Sequence, residues 1–193
     1  MSRPEAVGAS IRVVSIHIYP MKAARAVDLG ESLVEPWGLV GDRRWLLVDE
    51  DGRFVSQREE PSLARVMVTY GPLTGTTGTT GTIRVSAAGF PGRRIAAPAT
   101  GQNANMLKVT VWGSTVLAAA AGPDGDEWFS AYLGRPVRLV YLDDPTRRPV
   151  DPEYGQDGDV VSFADGYPLL LTSTASLDEL GRWLTETAGS PSR

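Results

Sequence analysis

The chain has 193 residues, 19 of them basic and 23 acidic, a net charge of −4 and no cysteine. The acidic balance, with a pI near 5.1, argues against a general nucleic-acid binder, which is usually basic. No apolar run reaches membrane-spanning length, and the lack of cysteine removes disulfides and thiolate ligands from this sequence and agrees with a cytoplasmic setting.

Residues 1–10 contain Arg3 and Glu5 but no apolar core; they read as a frayed tail without a secretory signal. Ile11 to Tyr19 alternates, with Val14, Ile16 and Ile18 on one face, and predicts a strand. His17 is the only histidine, and without partners it suits a structural or solvent-facing role. Pro20 ends the strand because it offers no N–H to a ladder, which leaves Lys22 where the chain departs from the sheet. Val27 to Val34 reads as a short strand-pair region. Trp37-Gly38-Leu39-Val40-Gly41-Asp42 is a glycine-bounded turn; its glycines suit either turn chemistry or close approach of a ligand.

Arg43 to Val48 and Arg53 to Arg58, separated by Asp49-Glu50-Asp51-Gly52, predict a β-hairpin. A two- or four-residue loop sets Arg43 opposite Arg58, and a bulged three-residue loop sets Arg44 there. Two guanidinium groups facing each other repel. Solvent, Glu59 and Glu60 could relieve this, or a bound anion such as phosphate could be held in an arginine fork.

Pro61-Ser62-Leu63 opens the next segment, with Ala64 to Tyr70 as a strand. Thr74 to Thr82 is a low-complexity Thr/Gly loop to which no chemistry is assigned. Ile83 to Ser86 is a strand, Gly89-Phe90-Pro91-Gly92 a turn, and Arg93 to Ile95 pairs locally. Leu107 to Val111 and Thr115 to Ala121 are strands around Trp112-Gly113-Ser114. Strands at this spacing indicate an all-β barrel or sandwich. A helix is expected near Asp126 to Leu133, capped by Asp124 or Asp126 and stopped by Gly134 and Pro136. Its apolar residues Trp128, Phe129, Tyr132 and Leu133 fall at helical spacing. Val137 to Leu142 is another strand. Residues 143–158, with Arg147-Arg148, form a long loop. Asp159 to Ser173 reads as strand, turn, strand. Ser176-Leu177-Asp178-Glu179 is a capping box for a helix carrying Leu177, Leu180, Trp183 and Leu184 on one face.

Taken in order, Tyr19-Pro20-Met21-Lys22, Gly38-Leu39-Val40-Gly41-Asp42-Arg43-Arg44-Trp45, Asp51-Gly52-Arg53-Phe54, Arg58 with Pro61, and the stretch Asp159 to Ser173 form a recognisable set. The chain resembles the N-terminal β-barrel that precedes a MOSC domain (molybdenum cofactor sulfurase C-terminal domain), as in the amidoxime-reducing family. The resemblance implies a mainly β (α+β) fold, with a barrel over 1–144 and a linker plus the first part of a MOSC domain over 145–193. A MOSC domain goes on to an Arg-Pro-Asn strand and a cysteine that ligates molybdenum; neither is in this sequence. The resemblance implies a molybdenum cofactor (molybdopterin) whose phosphate region is contacted by Lys22 and Arg43, with no metal ligand in this chain; the Ala23 backbone N–H, Arg58, and Thr172 and Ser173 at strand ends are further candidate contacts. Two departures are Ala23, where the family has Ser, and Ser114, where it commonly has Asp.

For a longer form the resemblance implies an oxidoreductase, reducing N-hydroxylated substrates with electrons from a redox partner protein. Such a protein would need neither nucleic acid nor membrane. The alternative is a non-catalytic binding or interaction module with a generic anion site. A third idea, sulfur transfer through pyridoxal phosphate, finds no lysine here in a recognisable motif for that cofactor.

Overall fold

A computed structural model describes residues 11–71, 82–101 and 104–188. The structure is mostly β with two helices. Strands β1 (Ile16–Ile18) and β2 (Val27–Leu29) pair antiparallel, as do the short β3 (Val34–Glu35) and β4 (Gly38–Leu39). Strand β5 (Trp45–Val48) is followed by a 3-10 helix over Pro61–Arg65 and by β6 (Met67–Tyr70), β7 (Thr82–Ala87) and β8 (Phe90–Ala96), which form a three-stranded meander. Strands β9 (Met106–Val111) and β10 (Ser114–Ala120) form a hairpin, then come α1 (Pro123–Leu133), β11 (Arg138–Tyr141) and α2 (Thr174–Ala188). The larger sheet has the order β5-β11-β10-β9.

All four residues of β5 are buried, because this strand has core on both faces. Trp45 and Leu47 join Met21, Val68, Ile83, Val85, Ile95, Trp128, Phe129 and Leu139 in the cluster between the two sheets and α1. Leu46 and Val48 face the other way, onto Val109, Val111, Val116, Val140, Leu142 and Phe163. Phe163 is fully buried although it lies outside any strand. Burying a side chain of this size contributes about 1.5–3 kcal/mol, so it anchors the segment after Leu142 to the sheet.

Several expectations change. Only Ile16–Ile18 of the predicted first strand is paired, because β2 offers just three partners; Val13 and Val14 lie exposed. The predicted hairpin shrinks to one bridge, Val48 with Phe54, plus the Asp49 amide on the Arg53 carbonyl and the Val55 amide on the Leu47 carbonyl. The same arm also bridges β9, Arg53 with Thr110, and residues 57–59 then turn. The main partner of β5 is β11, some ninety positions on, with Trp45 opposite Tyr141. The expected face-off between Arg58 and Arg43 or Arg44 is therefore not formed.

Phe90 and Pro91 belong to β8, not to a turn; β8 is an edge strand, where a missing N–H is tolerated. Helix α1 starts at Pro123 with Gly122 before it, and Asp126 instead accepts the Leu139 amide at 2.8 Å. Its end is as expected, with Gly134 at φ 69°. The stretch 159–173 forms no strand beyond a Val160–Pro149 bridge, since its carbonyls serve side chains. Apart from Thr82, which opens β7, the predicted Thr/Gly loop lies outside the described residues, as do residues 1–10. No helix among the described residues is long and apolar enough to cross a membrane.

Candidate functional site

The loop after β1 carries Lys22, whose amide donates to the Trp45 carbonyl at 2.9 Å. That bond, with the Met21–Trp45 bridge, pins the loop beside β5. The Lys22 side chain turns inward and is nearly buried; its ammonium donates to the Phe163 carbonyl at 2.9 Å and to Asp165 Oδ1 at 2.6 Å. It also lies 5.5 Å from the centre of the Phe54 ring. A buried ammonium needs such partners. Burial lowers the Lys22 pKa below its ordinary value; the positive charges of Arg148 and Arg43 act the same way, and Asp165 opposes them.

Arg43 stands on the turn just before β5. Its guanidinium donates to the Asp42 carboxylate and, at 3.0 Å, to the Pro168 carbonyl. Asp42 is buried and also accepts the Tyr19 amide at 2.7 Å. Burial raises the Asp42 carboxyl, against the pull of Arg43 and the Tyr19 amide. A third cation, Arg148, is buried and donates to the Ser162 carbonyl, to the Ala164 carbonyl at 2.7 Å and to the Asp165 carbonyl at 3.1 Å. Desolvation lowers its pKa, partly offset by Asp165. Arg148 Nε and Ser162 Oγ are buried polar atoms without a hydrogen-bond partner among the described residues.

Asp165 sits in the middle of these charges. Burial alone would raise its carboxyl, but hydrogen bonds from Lys22 and Trp112 and the charges of Lys22 and Arg43 hold it below the ordinary carboxylate range. The two partners of this ion pair respond differently because Lys22 is desolvated whereas the Asp165 side chain is 75% exposed.

Three non-glycine residues among the described ones have positive φ: Ala23 at 69°, Arg43 at 48° and Trp112 at 53°. Ala23 follows Lys22, Arg43 belongs to the cluster, and Trp112 donates its indole N–H to Asp165 Oδ1 at 2.9 Å. Left-handed backbone is costly for residues with a Cβ and gathers where the surrounding structure over-determines a geometry, often at functional sites.

The site residues expected from sequence divide. Lys22 and Arg43 are brought to one place, both charge-coupled to Asp165. Ala23 adjoins them, and its carbonyl accepts the Gln57 side chain at 2.7 Å. Arg58 is exposed, with its guanidinium 5.5 Å from the centre of the Trp112 ring, so it reaches the cluster through that indole. Thr172 and Ser173 are exposed, and Ser173 caps α2, accepting the Ser176 amide at 3.0 Å. The cap is therefore Ser173, three residues before the predicted box. His17 bonds Asp28 at 2.7 Å and Ser15 at 2.9 Å on the surface, away from this chemistry. Nothing in the sequence alone assigns Arg148, Asp165 or Trp112 to this site. Arg147-Arg148 gave a signal, but nothing local says that Arg148 turns inward while Arg147 pairs with Asp143.

The glycines flanking this turn serve the chain's own packing. A Cβ on Gly38 would meet the Pro168 carbonyl at 3.1 Å, and one on Gly41 would meet the Tyr70 ring at 2.5 Å.

This fold and this corner define a mostly β, half-barrel domain with three cations, Lys22, Arg43 and Arg148, gathered with the carboxylates of Asp42 and Asp165. The chain belongs to the family described as MOSC N-terminal beta barrel domain, which it matches over residues 10–136. It is 27% identical over 184 residues to mitochondrial amidoxime-reducing component 1 of Xenopus laevis, covering 90% of this chain and 51% of that protein. To the Homo sapiens protein of the same name it is 30% identical over 177 residues, covering 87% and 50%. To molybdenum cofactor sulfurase of Homo sapiens it is 24% identical over 187 residues, covering 89% and 19%. The chain thus spans about half the length of its amidoxime-reducing relatives. This kinship fits a molybdenum cofactor-associated function.

Proposed function

We propose that this chain grips the phosphate end of a pterin-based molybdenum cofactor. The observation that carries this is the gathering of three cations about residues 162–168, with Lys22 on the Asp165 carboxylate, Arg148 on the Asp165 carbonyl and Arg43 on the Pro168 carbonyl and the Asp42 carboxylate, in a frame strained at Ala23, Arg43 and Trp112. Charged N–H donors in a partly desolvated corner suit phosphate oxygens, which are strong anionic acceptors. The donors present, an ammonium and guanidinium groups, fit the phosphate end. In a longer form the cofactor would supply oxidoreductase chemistry, the reduction of N-hydroxylated substrates with electrons from a redox partner. The residues here would bind and orient it.

The test is binding of a phosphate-bearing pterin to the full chain and to Arg43→Ala and Arg43→Lys. A charge-assisted hydrogen bond is worth about 1.5–3 kcal/mol, so Arg43→Ala should weaken binding by about tenfold or more. Arg43→Lys should weaken it too, because an ammonium cannot reproduce the planar fork. Affinity should also fall as salt rises. Unchanged affinity in both variants removes Arg43 from the site. Equal affinity for inorganic phosphate and for the pterin would favour a generic anion site.

A further inference from the structure

Two donors converge on one oxygen. Lys22 Nζ lies 2.6 Å and Trp112 Nε1 2.9 Å from Asp165 Oδ1. The lysine is buried and fixed, with its side chain 9% exposed, whereas the carboxylate reaches in from the solvent side. Asp165 follows four buried residues, 161–164, so the chain is anchored up to the point where this side chain extends.

Trp112 is held in an unusual way. Val111 pairs with Ser114, so Trp112 and Gly113 form a two-residue hairpin loop. Trp112 carries the positive φ, 53°, and Gly113 does not. In a loop of this kind the first position favours glycine. The strain is retained by contacts that fix the indole: Phe54 meets it edge-on at 4.9 Å, and Arg58 lies 5.5 Å from its centre. The outcome is an indole N–H aimed at the oxygen that Lys22 also binds.

We infer that Asp165 is the internal occupant of an oxyanion site whose donors are Lys22 and Trp112, and that a phosphate group binds there by displacing the Asp165 carboxylate. This rests on the reading of Lys22 given above, and adds Trp112 as a binding residue and Asp165 as a competitor built into the chain. A phosphate oxygen presents the same lone pairs as the carboxylate oxygen, and its second charge adds attraction to Arg43, Arg148 and Arg58. The exchange breaks no covalent bond. The exposed carboxylate swings out to water, and the buried ammonium keeps an anionic partner throughout, as its desolvation requires.

The experiment titrates inorganic phosphate into the full chain, Asp165→Asn, and Asp165→Asn combined with Trp112→Phe, following the indole N–H resonance of Trp112 where it is present. Asn keeps the side-chain shape without the charge, and Phe keeps a ring against Phe54 and Arg58 without the N–H. Asp165→Asn should bind phosphate at least about tenfold more tightly than the parent, and loss of the indole donor should then weaken binding about fivefold or more. The Trp112 indole resonance should move on saturation, and a phosphate-bearing pterin should displace the inorganic phosphate if the two share the site. Equal affinity of parent and Asp165→Asn would overturn the competitor role, and an unaffected double variant would overturn the Trp112 role. Phosphate binding to neither protein would overturn the inference as a whole. Failure of the pterin reading shows separately, as pterin affinity indifferent to Arg43.

Discussion

The amide of Phe163 donates to the carbonyl of Arg43 at 2.9 Å, joining segments that lie 120 positions apart in the chain. Arg43 is a non-glycine residue with left-handed backbone in the turn before β5, and Phe163 is the buried anchor of the irregular segment after β11. This bond sets the backbone of the late segment so that its carbonyls at 162, 163, 164, 165 and 168 can receive Arg148, Lys22 and Arg43. An irregular stretch with buried residues must satisfy its backbone polar groups in some such way.

Asp165 should leave a mark on acid stability. Its carboxyl is held below the ordinary value of 3.8 when folded, so the contribution is present above the unfolded pKa and is lost as pH falls through the folded one. Asp42 has the opposite sign, since its carboxyl is raised above 3.8; its contribution is present below 3.8 and is lost as pH rises through the folded value. Urea midpoints between pH 2 and 6 should fall less steeply on the acid side in Asp165→Asn than in the parent. Parallel curves would show that Asp165 contributes nothing to the acid limb.

Arg44 is a structural cation, unlike its neighbour. It is buried, donates to the Leu142 carbonyl through Nε at 3.0 Å and a terminal nitrogen at 2.6 Å, and lies 5.1 Å from the Tyr141 ring centre. Arg44→Met should leave the Leu142 carbonyl without this donor and cost about 1–3 kcal/mol. Chemical denaturation checks this, and a change below about 0.5 kcal/mol would contradict it.

Gly41 has φ +80°, and a Cβ there would stand 2.5 Å from the Tyr70 ring, whose hydroxyl donates to the Gly41 carbonyl at 2.5 Å. Gly41→Ala combines overpacking with backbone strain and should destabilise by about 1–3 kcal/mol. Gly113→Ala, with nothing within 4 Å of the added methyl and no positive φ, should cost far less. Thermal unfolding of the two variants side by side tests the contrast.

Helix α2 leaves Leu177, Leu180, Trp183 and Leu184 exposed, as are Leu169, Leu170 and Leu171 before it. Since these side chains are not buried here, Leu180→Gln and Leu184→Gln should change the stability of this chain by less than about 0.5 kcal/mol while raising its solubility. A loss above 1 kcal/mol in a dilute sample would show that the face is covered in solution.

Local chemistry was legible in the sequence wherever it acts over a few residues. Alternation and turn residues gave most strands, Gly134 gave the end of α1, and Trp112-Gly113 gave the β9–β10 hairpin, because pleat, helical period and positive φ are set by near neighbours. The ordered motifs from Tyr19 to Arg58 also gave the family. Tertiary structure decided which partner each element took. β5 pairs along its full length with β11 and keeps only a short contact with its own hairpin arm, at Val48–Phe54, while core packs on both its faces. That pairing dissolved the expected arginine pair and left Arg58 on Trp112. The counter-charge of Lys22 was likewise set by packing: burial of Phe163 carries Asp165 to an ammonium 143 positions away. A contact over that distance is selected by the core that closes around it, and no local pattern in the sequence encodes it.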